Sequence, residues 1–282
     1  MPKFCANLSC LFPEVEFLDR FDAASRAGFQ AVEFHFPYGY DKDQLAECVA
    51  RAGVEVVLFN LPGGNWDKGE RGIACLPARV SQFRDGVAQA IDYAKALGCR
   101  RVNCLSGIEP PRTADTAVRE TFVSNLRFAA GELEREGILL LAEPLNTRTV
   151  PGNFLRYSAQ ALALMDEVKS PNVKLQYDVF HMQIMEGDLA KTIEANLARI
   201  GHIQIADVPE RHEPGTGEIN FAFLFDWIDR IGYQGWIGCE YIPAAGTEDG
   251  LAWIRPYLEE KSAAADIVLA GGGDTIEGDV RI

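Results

Sequence analysis

Val173-Lys174-Leu175-Gln176-Tyr177-Asp178-Val179-Phe180, the stretch Asp188–Ile200, Gly201 and then His202-Ile203-Gln204-Ile205-Ala206-Asp207 are the residues on which the fold turns. A short β-rich apolar run is followed by a segment of helical spacing, a glycine, and a second apolar run. Such a unit predicts two parallel strands joined by a right-handed helical crossover. Working outward, the same unit repeats along the chain. Further strand-like runs are Phe4–Cys10, Ala31–Phe36, Glu55–Leu61, Arg101–Gly107, Leu139–Asn146 and Trp236–Ile242. Between and after them lie helical segments at Glu14–Ala27, Asp43–Ala52, Ala78–Leu97, Ala114–Glu136, Ala159–Val168, Phe221–Ile231 and Glu248–Glu260. Gly28, Gly53, Gly98, Gly137, Gly201 and Gly232 each stand where a helix should end, as C-terminal caps do.

Repeated eight times in 282 residues, this unit closes most simply into a single (β/α)8 barrel, a fold of roughly 250 residues. The competing α/β architecture, an open doubly wound sheet, would show a glycine-rich turn after the first strand. Ser9-Cys10-Leu11-Phe12-Pro13 offers none. The barrel is expected to occupy residues 1–260. Residues 261–282, with Gly271-Gly272-Gly273, form a tail beyond it, readable either as an expression remnant or as an arm docking on a neighbour.

Composition narrows the function. Hydrophobic residues at 48% and charged residues at 24% are those of a globular protein. No run approaches the roughly 20 apolar residues of a membrane span, and Met1-Pro2-Lys3-Phe4 does not begin a signal peptide, so a cytoplasmic protein without a membrane partner is expected. A net charge of −14 makes nucleic acid a poor partner. Seven cysteines, odd in number and without a Cys-x-x-Cys pair, read as reduced thiols and not as a disulfide frame or a structural zinc site. Oligomeric state is not legible, and a homo-oligomer stays open.

Chemistry in a barrel gathers at the C-terminal mouths of its strands. Most of the 41 acidic residues fall on helix faces, but Glu33, Glu143, Asp178, Asp207 and Glu240 interrupt apolar strands, where an ionised carboxylate is costly unless paired. Alternate residues of a strand share a face. One consistent register therefore points Glu143, Asp178, Gln204 and Glu240 into the mouth, on four successive strands. Singly, each reads as a hydrogen-bonded core group; as a set they read as a site. Three converging carboxylates repel one another, and a divalent cation would relieve them. Oxygen donors without sulfur suit Mg²⁺ or Mn²⁺.

The remaining polar candidates are weaker. His181, just past strand six, suits a substrate oxygen or, equally, the cap of the next turn. His202 reads as structural and His35 as packing, while His212 has no evident task. So few histidines leave a multi-zinc phosphodiesterase site short of ligands. The loop from Asn60 to Gly72 is long enough to cover the mouth. In it Arg71 could pair with a substrate carboxylate, or simply with a surface acid. Pro209–Glu218 lacks the spacing and lysine of a phosphate loop, so a shaped active-site loop is expected, with Arg211 a second anion-holding candidate.

Several of these stretches, taken in order, resemble one family. They are Glu33-Phe34-x-Phe36-Pro37-Tyr38, Gly69-Glu70-Arg71-Gly72-Ile73-Ala74-Cys75, Glu143-Pro144-Leu145-Asn146, Gln176-Tyr177-Asp178-x-x-His181-Met182-Gln183, Gln204-Ile205-Ala206-Asp207, Glu213-Pro214-Gly215-Thr216-Gly217-Glu218-Ile219-Asn220 and Gly238-Cys239-Glu240-Tyr241. The chain is similar over about Phe4 to Tyr257 to the hydroxypyruvate isomerases, sugar-isomerase and epimerase barrels that also resemble endonuclease IV in fold. The resemblance implies interconversion of hydroxypyruvate and 2-hydroxy-3-oxopropanoate (tartronate semialdehyde), with Glu143 and Glu240 as the catalytic acid/base pair. It further implies Glu143, Asp178, Gln204 and Glu240 as ligands of a divalent cation, Mg²⁺ or Mn²⁺. His181, Arg211, Arg71 and Asn60 would bind a small hydroxy or keto acid. Related epimerases usually place histidine where Gln204 stands, which implies weaker metal binding here, or none that is required.

The alternatives are an isomerase of the four-carbon 2-oxotetronate or a ketose 3-epimerase, which pocket size would separate. Outside that class stand an abasic-site endonuclease and a non-catalytic sugar-acid-binding barrel. Charge and histidine count oppose the first, and the retention of both glutamates opposes the second.

Overall fold

The computed structural model describes residues 1–258. Its strands are β1 (Lys3–Asn7), β2 (Ala31–Phe34), β3 (Glu55–Asn60), β4 (Arg101–Cys104), β5 (Leu139–Ala142), β6 (Val173–Asp178), β7 (Ile200–Ile205) and β8 (Trp236–Cys239). They pair in parallel and in chain order, and β8 closes on β1. The fold is the expected (β/α)8 barrel. The expected tail, 261–282, lies outside the described residues. Among the described residues no helix is long and apolar enough to cross a membrane.

Helices α1 (Arg20–Arg26), α2 (Lys42–Ala52), α3 (Val80–Leu97), α4 (Asp115–Arg135), α5 (Ser158–Val168), α6 (Val179–Met185), α7 (Leu189–Asn196) and α8 (Phe221–Arg230) surround the strands. Their apolar spacing explains their seating. In α3 Phe83, Val87, Ala90, Ala94 and Leu97 are buried; in α4 Val118, Phe122, Leu126, Ala130 and Leu133 are. Each series is one stripe of a 3.6-residue helix, laid against the barrel. Asp41 caps α2, accepting from the backbone N–H groups of Asp43 and Gln44 at 3.0 and 3.1 Å, and Gly53 ends it in the left-handed conformation.

Three expectations are corrected. The strand runs overreach at their C-terminal ends: β5 stops at Ala142, before Pro144, which has no N–H to give a ladder. The run ending at Phe180 contains the start of α6, because the Asp178 side chain accepts the Phe180 N–H at 2.8 Å and opens a helix there. A buried helical turn and a buried strand are alike in apolar content. Gly201 caps nothing. It lies inside β7, where a Cβ would stand 2.5 Å from Leu141 Cδ2, so it leaves room for the Leu141 side chain of β5. The expected helix Glu248–Glu260 is a 3-10 turn at Asp249–Leu251 followed by helical backbone at 255–258.

Inside the barrel the packing is layered. Cys5, Ala31, Val57, Leu58 and Leu141 form an apolar plug toward the N-terminal ends of the strands. Above it lies a polar layer centred on Glu33, which is fully buried. Its carboxylate accepts from Asn7 Nδ2 at 2.9 Å and Gln204 Nε2 at 2.7 Å, and is hydrogen-bonded to His202 Nε2 at 2.6 Å. Gly238 is glycine because the Glu33 carboxylate fills the space of its side chain: a Cβ there would lie 2.3 Å from Oε1.

Candidate active site

A cavity of about 210 Å³ opens at the C-terminal mouth of the barrel, with Glu143, Glu240, His181, Arg211, His35, Asn60 and Arg71 in its wall. All six expected catalytic and substrate-binding residues thus converge, with His35 beside them, from loops far apart in sequence. A larger groove, at Met165, Lys174 and Arg199, lies on the opposite face by the first residues of β6 and has no such constellation.

Glu143 follows β5 directly and is buried. Asn103 Nδ2 donates to its Oε2 at 2.6 Å and also reaches Asn60 Oδ1 at 3.1 Å. Burial, then the negative charges of Glu240 and Asp178, push the Glu143 carboxyl well above the usual carboxylate range. Glu240 follows β8 and has the opposite environment. Its Oε1 lies 3.0 Å from Arg211 Nη2 and 2.7 Å from His35 Nε2. Burial raises its pKa, but the Arg211 charge and the His35 hydrogen bond more than reverse this, so Glu240 is held ionised. Two carboxylates in one cavity are therefore driven apart in acidity, the pattern of an acid paired with a base.

Asp178 ends β6 beneath them. Its Oδ1 caps α6, while Oδ2 is buried without a hydrogen bond, 3.4 Å from His181 Nε2 and 3.6 Å from Arg211 Nη2. Burial raises this carboxyl as well, with Arg211 moderating the effect. Arg211 thus supplies much of the positive charge that the converging acids require.

His181, in the first turn of α6, is oriented by Asn146. The Asn146 backbone N–H (3.1 Å) and side-chain Nδ2 (2.6 Å) both point at His181 Nδ1. The Asn146 oxygen accepts from the Thr149 N–H and hydroxyl, which fixes the sense of the amide. Nδ1 is therefore an acceptor and the ring proton sits on Nε2. Burial and the Arg211 charge lower the His181 pKa to about 3, so the ring is a neutral N–H donor at the cavity.

Arg211 has a backbone φ of 63°, a left-handed conformation costly for a residue other than glycine and one that the surrounding loop must impose. Asp207, at the end of β7, organises that loop. Its Oδ1 accepts the N–H groups of Val208 and Ile219, and its Oδ2 those of Gly215 and Gly217, all between 2.9 and 3.1 Å. The glycine-rich segment thus spends its amides on its own aspartate, as a shaped loop and not a phosphate cradle. The Arg211 guanidinium lies 4.9 Å above the Phe180 ring. Arg71 stacks over Trp66 at 4.1 Å, with Nη1 donating to the carbonyls of Trp66 and Glu70. It reaches the cavity from the covering loop.

Gln204 sits one layer lower than the acids. Its Oε1 accepts from Gln176 Nε2 at 2.5 Å and its Nε2 donates to Glu33. A narrow extension of the cavity, lined by Asn7, Glu33, Gln176 and Gln204, joins it to Glu143 and Glu240. The donor set suits a hard cation on the Glu143–Asp178 side. Asp178 Oδ2 is buried without a hydrogen-bond donor, and carboxylate oxygens of Asp178 and Glu143 lie within 4.8 Å of each other. Gln204 Oε1 keeps one lone pair free, while Glu240 meets a cation in competition with Arg211 and His35.

Sequence reasoning missed three residues here. His35, read as packing, is bonded to Glu240. Asn103 and Asn146 hold Glu143 and His181, and Asp207, marked only as a strand acid, shapes the loop that carries Arg211. Asn103 carries the signal that marked the acids, a polar residue inside an apolar run.

The barrel and this mouth define a class. A profile of the xylose isomerase-like TIM barrel family matches residues 21–257, and the chain belongs to that family. Among curated relatives, hydroxypyruvate isomerase of Escherichia coli K12 is 52% identical over 257 residues, covering 91% of this chain and all of the relative. The 2-oxo-tetronate isomerase of Cupriavidus necator is 46% identical, over 92% of this chain and 99% of its own. Among solved structures, a protein described as AP endonuclease, family 2, from Brucella melitensis superposes with a TM-score of 0.89 at 48% identity, over 91% of this chain and 99% of its own. The chain is an isomerase of this superfamily.

Proposed function

We propose that the substrate is hydroxypyruvate and the product 2-hydroxy-3-oxopropanoate, exchanged by proton transfer through an enediolate. The observation that carries this reading is the pair Glu143 and Glu240 in one small cavity, one pushed well above the usual carboxylate range by its surroundings and one held ionised. Moving a carbonyl from C2 to C3 removes a proton from one carbon and returns one to its neighbour. Ionised Glu240 accepts the C3 proton and protonated Glu143 delivers one to C2. The C3 hydroxyl then gives its proton back to Glu143 as the new carbonyl forms, and Glu240 gives its proton to the C2 oxygen, so both glutamates are restored. The reverse reaction exchanges the roles. Neutral His181 donates its Nε2–H to a substrate oxygen as negative charge develops there. Arg211 holds the ionised base in place, and Arg71 meets the carboxylate from the covering loop. The identities to isomerases of three- and four-carbon acids support the reaction class. A cavity of about 210 Å³, acid-floored, on a chain of charge −14 suits a small acid better than a duplex.

The reading includes a divalent cation, Mg²⁺ or Mn²⁺, with Glu143, Asp178, Gln204 and Glu240 as its ligands. When bound it would supply charge stabilisation to the enediolate oxygens. Soluble expression in the cytoplasm is part of the same proposal.

The test is turnover of hydroxypyruvate coupled to an NADH-dependent reductase of tartronate semialdehyde, with 2-oxotetronate isomerisation assayed in parallel. Glu143→Gln and Glu240→Gln are each expected to lose at least about a thousandfold in kcat/KM, within the range for acid–base groups. A chelator arm, with metal analysis, decides the cation. Turnover of the four-carbon acid alone would replace the substrate, and intact activity in either variant would remove that glutamate from the mechanism.

A further inference from the structure

Cys10 is expected from the sequence, with the other six cysteines, to be a reduced thiol. Among the seven it alone is not buried. It lies in the loop after β1, where its N–H donates to the Asn7 carbonyl at 3.1 Å. The neighbouring Ser9 hydroxyl accepts the His35 N–H at 2.8 Å and ties this loop to the one after β2. The consequence is a cluster at the mouth made by three adjacent strands, β8, β1 and β2. The Cys10 sulfur, a ring nitrogen of His35 and a carboxylate oxygen of Glu240 all lie within 4.8 Å of one another.

We propose that Cys10, His35 and Glu240 form a second cation site, selective for a thiophilic divalent ion such as Zn²⁺, and that its occupation takes Glu240 out of the reaction. One thiolate, one imidazole and one carboxylate are the donors of a borderline-soft ion, unlike the all-oxygen set on the Glu143–Asp178 side. His35 and Glu240 both face the cavity, which leaves a fourth position open to solvent or to a substrate oxygen. Donor atoms around a tetrahedral zinc stand about 3.3–3.8 Å apart. The His35–Glu240 contact, now 2.7 Å, therefore opens by roughly 0.6 Å on binding. The Cys10 proton is released to solvent as the sulfur–metal bond forms. Thiolate and carboxylate together neutralise the ion, and Arg211, freed of part of its contact with Glu240, retains Asp178 at 3.6 Å.

The experiment titrates metal-free protein with Co²⁺ in excess Mg²⁺. Wild type is expected to show a near-ultraviolet thiolate-to-cobalt charge-transfer band that Zn²⁺ abolishes. Cys10→Ser and Cys10→Ala are expected to lose the band, and His35→Ala to weaken cobalt binding at least tenfold. In the turnover assay Cys10→Ser keeps the wild-type rate, and the Zn²⁺ concentration that halves it rises at least tenfold. A wild-type protein without the band, or a Cys10 variant that retains it, overturns the site. Unchanged zinc inhibition in Cys10→Ser overturns the link to Glu240. The cobalt band is read without substrate, so it stands or falls apart from the assignment of hydroxypyruvate.

Discussion

At the scale of single residues, Glu143 and Glu240 depart from an ordinary carboxylate in opposite directions, and this has a consequence for stability. The folded-state pKa of Glu143 is raised above its unfolded value of about 4.3. Folding therefore disfavours its ionised form, at a cost that is absent below about pH 4 and grows as pH rises through the folded pKa. Glu240 is depressed, so its contribution is favourable above about pH 4.3 and is lost as pH falls through the folded value. In metal-free protein, Glu143→Gln should melt a few degrees above wild type at pH 8, with the gain vanishing near pH 4. Glu240→Gln should melt below wild type at pH 8, because Arg211 and His35 lose their charged partner. Thermal denaturation followed by circular dichroism at the two pH values checks both, and matching shifts would refute the assignment of opposite environments. The two glutamates were legible in the sequence because a carboxylate inside an apolar strand is conspicuous. Their acidities were not, because those depend on burial and on groups brought in from elsewhere in the chain, Glu240 and Asp178 beside Glu143, Arg211 and His35 beside Glu240.

At the scale of elements, the segment from β7 to α8 is the one whose geometry sets the site. Four backbone N–H groups converge on the Asp207 carboxylate and hold Arg211 at its positive φ. Asp207→Asn replaces an oxygen that accepts two of them with a donor, at about 1–3 kcal/mol for each amide left unsatisfied. As a positioning residue, Asp207 should act through Arg211. The variant is expected to raise KM at least tenfold with a smaller fall in kcat, and to add little further loss in an Arg211→Ala background. Additive losses in that double-mutant cycle would make Asp207 merely structural. The sequence offered Asp207 as one buried acid among five and the glycines as an active-site loop. Nothing in either pattern says that one binds the other, since the connection is a fold of the loop back on itself. Likewise the run through Phe180 could not show that Asp178 ends a strand and caps a helix at once.

At the scale of the molecule, the barrel is closed around a polar centre. Glu33 joins β2 to β1 through Asn7 and to β7 through His202 and Gln204. Removing one partner from such a buried network is expensive, at roughly 3–5 kcal/mol. Glu33→Ala should lower the melting temperature by about 10 °C or more, at roughly 2–4 °C per kcal/mol for a chain of this order. His202→Ala should fall short of adding the full loss in the double variant, since both delete one interaction. Full additivity in melting experiments would show that the two act independently.

Periodicity and punctuation by themselves determined the fold. Eight alternations of strand and helix, ended by Gly28, Gly53, Gly98, Gly137 and Gly232, leave a closed parallel barrel as the simplest way to bury every apolar face. They also determined that chemistry sits at strand ends, and marked Glu143, Asp178 and Glu240 as its acids. Tertiary structure alone decided which partner each acid has. It placed Gln204 one layer down with Glu33, brought His35 and Arg211 to Glu240, and set the two N–H groups of Asn146 on His181. The physical reason is reach. Strand periodicity is local and fixes which face a side chain takes, whereas protonation is set by charges a few ångströms away, carried on loops that only barrel closure brings together.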